Sequence, residues 1–178
     1  VLDGGALDFE IVTSFDLVIS VSDGKLYDNA VITVNLADIN EFTPVAEDAT
    51  LSVDENLLQG TVAHVVVAND GDGSAVLTYS IAAGNSGDVF AINTTTGAIS
   101  VNGDNALDFE SASSYMITVH VSDGLFSDDA TITFNISDVN EAPVVENAFV
   151  FVERRLLNGD VLHAVEAKDP DLDDVLTF

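Results

Sequence analysis

The side chains with the most chemistry to offer in this 178-residue chain are carboxylates and carboxamides, and they fall in short clusters. Asp138-Val139-Asn140-Glu141-Ala142-Pro143 sets two carboxylates and an amide oxygen in four residues ahead of a proline, and Asp38-Ile39-Asn40-Glu41-Phe42-Thr43-Pro44 repeats the pattern one hundred residues earlier. A proline-closed segment this polar is stiff and has little to bury, so it reads as a connector between folded units whose oxygens face a ligand. Oxygen donors without thiolates suit a hard cation. Calcium takes about six to eight oxygens at flexible angles, whereas magnesium demands a near-ideal octahedron and gives up water reluctantly, so the supply favours calcium. Glu55, Asp108, Glu110, Asp169 and Asp171 stand at strand ends that a sandwich gathers at the same pole as Asp138, Asn140 and Glu141. That set holds oxygens enough for more than one ion.

The elements that must position these groups are strands. Tyr115, Ile117, Val119 and Val121 alternate with Met116, Thr118, His120 and Ser122, and Ala130, Ile132, Phe134 and Ile136 alternate with Thr131, Thr133, Asn135 and Ser137, the period of half-buried strands. Further strands are expected at 49–53, 61–68, 76–82, 88–92 and 97–101, separated by Gly, Asn, Asp and Ser clusters. Seven short strands with no sustained helical period make an all-β, two-sheet sandwich the economical architecture.

Self-comparison organises the whole chain. Leu7-Asp8-Phe9-Glu10 returns as Leu107-Asp108-Phe109-Glu110, and Val21-Ser22-Asp23-Gly24 as Val121-Ser122-Asp123-Gly124. Past the connector the offset becomes ninety-nine, as in Asp70 and Asp72 against Asp169 and Asp171, because one extra residue separates Glu41 from Pro44. That extra residue is expected to loosen the first connector. The expected division is 1–42 as the C-terminal part of a first repeat, 43–142 as a complete repeat and 143–178 as the N-terminal part of a third. Strands are expected at 14–22 and 28–37 in the first part and at 148–153, 160–167 and 175–178 in the last. Leu17, Ile19 and Val21 at one end, and Phe149, Phe151, Leu162 and Val165 at the other, form apolar faces without partners. Packing against neighbouring repeats, or head-to-tail self-association, is expected to cover them.

Composition narrows the function classes. A net charge of −27 with 47% hydrophobic residues describes a chain apolar enough to fold but in need of cations to offset repulsion between its carboxylates. Four Lys and Arg residues give no basic stripe, which argues against nucleic acid and anionic membranes as partners. There is no Cys. No stretch reaches the ~20 apolar residues of a membrane-crossing helix, so direct membrane insertion is not expected. The sequence opens at Val1-Leu2-Asp3 with no apolar leader and is expected to be a piece of a longer protein.

Competing readings of the same residues are weaker. Asp169, Asp171 and Asp173 suggest an EF-hand, but the sixth position is Asp174 where that loop needs Gly. Asp123-Gly124 alone would be an ordinary turn. His64, His120 and His163 read as surface residues, and neither a nucleophile elbow nor a phosphate loop occurs. The abundant carboxylates sit in connector motifs, not in a cleft, which argues against glycosidase chemistry, and no enzyme activity is expected. Asn93-Thr94-Thr95 and Asn135-Ile136-Ser137 fit the glycosylation triplet, the second within a strand.

Taken together, Asp54-Glu55-Asn56, Leu107-Asp108-Phe109-Glu110, Asp138-Val139-Asn140-Glu141-Ala142-Pro143, and Ala68-Asn69-Asp70-Gly71-Asp72 with Val121-Ser122-Asp123 resemble the calcium-binding motifs of cadherin repeats, in that family's order and along the entire chain. Phe90-Ala91-Ile92 and Thr96-Gly97-Ala98-Ile99 are similar to its core. The resemblance implies an immunoglobulin-like Greek-key sandwich in tandem, with calcium ions at each junction. Carried over by position, it implies an outer ion on Glu55, Asp108, Glu110 and Glu141. A middle ion would take Glu55, Glu110, Asp138, Glu141, Asp171 and the Val139 carbonyl, and a third Asn140, Asp169, Asp171 and the Ala142 carbonyl. At the first junction it implies Asp8, Glu10, Asp38, Asn40, Glu41, Asp70, Asp72 and Asp123. Glu41 and Glu141 stand where the family usually has Asp, and Glu153-Arg154-Arg155 replaces Asp54-Glu55-Asn56 in the third repeat.

The function this implies is a calcium-stiffened extracellular or cell-surface rod in an adhesion protein. The Ala, Val, Thr, Asp and Asn-rich composition is more like bacterial repetitive adhesins than animal receptors. The alternative is a calcium-dependent carbohydrate-binding module, against which stands the absence of Trp for an aromatic platform. Outside partners under these readings are a glycan or another cell-surface ligand.

Overall fold

The computed structural model describes residues 7–104, 106–152, 157–171 and 174–177. Its strands, in chain order, are β1 (Ser14–Ser22), β2 (Tyr27–Asn35), β3 (Val45–Ala46), β4 (Ala49–Asp54), β5 (Val62–Val65), β6 (Ala68–Asn69), β7 (Thr78–Ala83), β8 (Phe90–Ile92), β9 (Ala98–Val101), β10 (Ser114–Ser122), β11 (Ser127–Ser137), β12 (Val144–Val145) and β13 (Ala167–Lys168). A single 3-10 turn, Ser86–Asp88, is the only helical element among the described residues.

One sheet runs β4-β11-β10-β7, with β4 parallel to β11 and the other pairs antiparallel. The facing sheet runs β5-β9-β8. The chain changes sheet between β4 and β5, between β5 and β7, between β7 and β8 and between β9 and β10, so the seven strands form a Greek-key sandwich. The alternation read in the sequence determines which side chains point inward. Ile117, Val119 and Val121 of β10 and Ala130, Ile132, Phe134 and Ile136 of β11 are buried against Phe90, Ile99 and Val101 of the facing sheet. Phe90 stacks on Phe134 with ring centroids 4.4 Å apart and meets Tyr115 edge-on at 5.7 Å, tying the two sheets together. Gly97 takes φ +67 directly under Tyr79, where a Cβ would lie 2.9 Å from Cε1, so glycine is needed at this turn.

The expected strand at 61–68 is broken in two, since the segment changes partner. His64 and Val65 pair with β9, the Val66 amide then donates to the Gly97 carbonyl at 3.0 Å, and Ala68 pairs with Ala46 of β3. The histidines keep to the periphery. His64 is half-buried, and burial pushes its pKa down. His120 Nδ1 lies 2.7 Å from Asp129 Oδ1, and His163 is exposed outside any strand.

The sequence repeat is also a repeat of geometry. β1 and β2 pair as an antiparallel hairpin from Ser14↔Asn35 to Ser22↔Tyr27, the same register as Ser114↔Asn135 to Ser122↔Ser127. β3 pairs with β6 as Val45↔Asn69, and β12 with β13 as Val144↔Lys168. What differs is cover. Val21 is 68% exposed where Val121 is fully buried, and Leu17 and Ile19 are likewise exposed. The strands expected at 148–153, 160–167 and 175–178 do not form among the described residues beyond Ala167, and Phe149, Phe151, Leu162 and Val165 are exposed. In the sandwich, the matching strands β4, β5 and β7 are hydrogen-bonded by β11, β9 and β10, and no strand among the described residues plays that part here. Glu153-Arg154-Arg155, Asp173 and Phe178 lie outside the described residues.

Candidate metal centres

Two acidic junctions result, one at each end of the sandwich. At the second, Glu55 ends up buried, only 3% exposed, just past the end of β4. Its Oε2 accepts the Phe109 amide and its Oε1 the Val139 amide, both at 2.7 Å, so one carboxylate fastens the 107–110 loop to the connector. Oxygens of Glu55, Asp108 and Glu110 lie within 4.8 Å of one another, as do those of Glu110, Asp138 and Asp171. The Asp171 carboxylate accepts the Glu141 amide at 2.8 Å, and the Asp171 amide donates to Asp169 at 3.2 Å. Asn140 and Glu141 line a cleft with Glu55, Asp108 and Glu110. Val139 enters through its amide, and Ala142 is exposed beyond the clusters.

The first junction repeats this scheme with one side missing. Glu10, Asp38 and Asp72 come together within 4.8 Å. Asp72, also 3% exposed, accepts the Phe42 amide at 3.0 Å and the Glu41 amide at 3.4 Å, and its own amide donates to Asp70 at 2.9 Å. Asp123 caps the β10–β11 turn by accepting the Leu125 and Phe126 amides at 2.6 and 2.7 Å. Asp8 is not drawn into the cluster, because no described residue stands where Glu55 stands at the second junction. It spends its carboxylate on the Ile11 amide at 3.1 Å.

The first connector, longer by one residue, makes two contacts through Phe42. The Phe42 ring lies over Gly71, and the amide of the same residue holds Asp72. Sequence reasoning also passed over two polar groups. Asp174 joins Asp169 and Asp171 within 4.8 Å because a turn brings its amide to the Asp171 carbonyl at 3.2 Å. Its counterpart Ala75 makes the same turn onto Asp72 at 2.9 Å. In the sequence Asp174 shows only as the residue that stands where an EF-hand loop needs Gly. Ser74 donates its hydroxyl to Asp38 at 2.6 Å, a contact that only the folded loop shows.

The electrostatics show groups in want of positive charge. Partial desolvation first, and then Glu10, Asp72, Asp8 and Asp38, raise the Glu41 pKa. Desolvation followed by neighbouring carboxylates likewise raises Glu110, Asp138 and Glu141, with Asp171 and Glu55 prominent among the neighbours. Asn40 Oδ1, Asp70 Oδ2, Asp123 Oδ2 and Glu141 Oε2 are buried with no hydrogen-bond partner. Such atoms carry a full desolvation cost unless something pairs with them. No described basic side chain does so, since the one ion pair among the described residues, His120 with Asp129, lies outside both junctions. Orphaned oxygens flanking carboxylate clusters that separate segments bring together, with no described basic side chain between them, fit a hard metal ion.

Comparison with known proteins agrees with this geometry. The family model for the cadherin domain matches residues 49–137. The protocadherin-like wing polarity protein stan of Drosophila melanogaster is 34% identical over 184 residues, covering 94% of this chain and 5% of that protein. Cadherin-related family member 2 of Homo sapiens is 30% identical over 175 residues, covering 93% of this chain and 13% of that protein. This chain therefore spans only a small part of the length of these relatives. Among solved structures, the protocadherin gammaB7 EC3-6 cis-dimer superposes with a TM-score of 0.69 at 25% identity, over 92% of this chain and 44% of that one. With the sandwich, the acidic junctions and the family model in agreement, the chain belongs to the cadherin family.

Proposed function

We propose that this chain is a calcium-stiffened, extracellular or cell-surface stretch of an adhesion protein, acting as a rod or spacer. In this reading residues 1–42, 43–142 and 143–178 belong to three successive repeats, and the role is mechanical, not catalytic. The observation that carries it is the set of four buried, unpartnered oxygens, on Asn40, Asp70, Asp123 and Glu141, each already singled out in the sequence as a ligand. Glu55, Asp108, Glu110, Asp138, Glu141 and Asp171 would hold ions at the second junction, with Asn140, Asp169 and the carbonyls of Val139 and Ala142 completing the set. At the first, Glu10, Asp38, Asn40, Glu41, Asp70, Asp72 and Asp123 would do so, with Asp8 at the margin. Calcium supplies divalent charge that offsets the mutual repulsion of these groups.

The protein's own contribution is to carry the ligands on opposite sides of each connector. Glu55 and Glu110 belong to the sandwich, while Asp171 lies beyond Pro143. Fixing them to a common charge removes freedom from the residues between. Membership of the cadherin family supports a place outside the cell or on its surface, with neighbouring repeats as the first partners. The named curated relatives are animal proteins, and they lend no support to a bacterial repetitive adhesin as the parent.

Stiffness is measurable. Residual dipolar couplings collected over β1–β2 and over the sandwich should fit one alignment tensor in calcium and two in chelator. A single tensor in both conditions, or two in both, would count against calcium as the stiffening agent.

A further inference from the structure

The two junctions hold the same aspartate by different means. In each, the loop following the connector carries an Asp-x-Asp whose second carboxylate accepts connector amides, from Phe42 and Glu41 to Asp72 and from Glu141 to Asp171. The residue between the aspartates differs. It is Gly71 in the first loop and Pro170 in the second. Proline fixes its own φ, whereas glycine leaves the backbone the widest choice of conformations. Left to itself, the Asp70-Gly71-Asp72 loop would present its carboxylates over a broader ensemble than Asp169-Pro170-Asp171.

The connectors differ in the complementary sense. The first has one residue more, and Phe42 lies where the second offers only Ala142. The Phe42 ring fills the space that a side chain at position 71 would need, since a Cβ there would lie 2.7 Å from Cδ1 and from Cδ2. Such a separation is well inside van der Waals contact, so ring and glycine are a matched pair. A proline at 71 would meet the ring, and an alanine at 42 would leave the glycine uncovered.

We propose that Phe42 is a positioning residue for the first metal centre. Its ring, seated on Gly71, holds the Asp70–Asp72 loop in its ligand-presenting shape, the task that Pro170 performs by covalent restraint at the second. The inference rests on the reading of the junctions as cation sites, but the latch itself is an aromatic contact that exists without a cation. Phe42 is 41% exposed and lies outside the buried core cluster, so shortening it leaves the sandwich folded.

The test uses the full chain, with calcium titrated while amide signals of residues 40–41 and 140–141 report the two junctions separately. Phe42→Ala should weaken calcium binding at the first junction about tenfold and leave the second unchanged. In chelator it should speed hydrogen exchange at 41–42 and 71–73 but not at 139–142. Phe42→Tyr should behave as the parent. Gly71→Pro alone should weaken binding by crowding the ring, yet in the Phe42→Ala background it should restore most of the lost affinity, an inversion of sign that general destabilisation does not produce. Unchanged binding and exchange in Phe42→Ala, or failure of Gly71→Pro to restore either in a folded double variant, would overturn the proposal. If the parent took up no calcium while Phe42→Ala still speeded exchange, the latch would stand and the cation reading would fall.

Discussion

Glu55→Gln should lower the melting temperature of the sandwich in calcium by about 10 °C or more, corresponding to roughly 2–4 kcal/mol. Glu55 is one of the two buried charged side chains among the described residues, and both of its oxygens accept backbone amides at 2.7 Å. Charge-assisted bonds of this kind are about twice as strong as neutral ones. Glutamine has the same shape but only one acceptor oxygen, so an NH2 must face either the Phe109 or the Val139 amide and leave that donor unsatisfied. The substitution also removes a ligand shared by two of the implied ions. In chelator the loss should be smaller, because the Glu55 charge repels Glu110, Asp138 and Glu141 and its removal relieves them. Thermal unfolding followed by circular dichroism in both conditions measures this. Equal losses with and without calcium would assign Glu55 a purely structural role.

The second large effect is a change in the direction of pH dependence. Glu41, Glu110, Asp138 and Glu141 have folded-state pKa values raised by desolvation and by each other's company. A carboxylate raised on folding binds its proton more tightly in the folded state. Its favourable contribution is complete below the unfolded value, about 4.3 for Glu and 3.9 for Asp, and is lost as pH rises through the higher folded value. In chelator, therefore, the melting temperature should climb as pH falls from 7 towards about 4.5. With calcium saturating, protons compete with the ion for the same oxygens, and the melting temperature should fall over that interval. Asp23 and Asp123 act in the opposite sense and lower down. The Leu26 and Lys25 amides lower Asp23, and for Asp123 the upward effect of burial is outweighed by the Leu125 and Phe126 amides together with the Asn40 side chain and its own amide. Their contribution disappears only as pH drops below the ordinary Asp range, so the rise in chelator should reverse there. Parallel slopes with and without calcium would mean that the raised carboxylates are not where the ion binds.

Much of this fold was legible because its strongest signals are local. The period-two alternation of β10 and β11 named every inward side chain from Ile117 to Ile136, and the matching stretch at Ser14–Ser22 located β1 to the residue. Where pairing is decided at a distance, local pattern fails. Val66 has the apolar character of a strand interior, but its neighbours exchange β9 for β3, and no property of 61–68 itself announces the exchange. The apolar residues from Phe149 to Val165 carry strand propensity without a strand to receive it.

The site divides along the same line. Glu55, Glu110, Asp138 and Asp171 were readable because the ligand motifs recur in register with the repeat, and the folded chain brings them into shared clusters. Asp174 and Ser74 depend on how a loop turns, and Phe42 on which glycine lies beneath it. A connector one residue longer suggests slack if length is all that is known, whereas an aromatic ring with a glycine to sit on makes it a latch.

Titration calorimetry of calcium into the whole chain, repeated with Glu110→Ala and Asp138→Ala, tests the cation assignment most directly. Saturable binding is expected in the parent, with a rise in melting temperature on loading. Either substitution should remove most of the heat from the second junction and leave that of the first, since Glu110 and Asp138 share a cluster with Asp171 while Glu10, Asp38 and Asp72 form their own. Absence of binding heat and of any calcium effect on melting would contradict the assignment outright, and would reduce the acidic junctions to solvated loops on a cadherin sandwich.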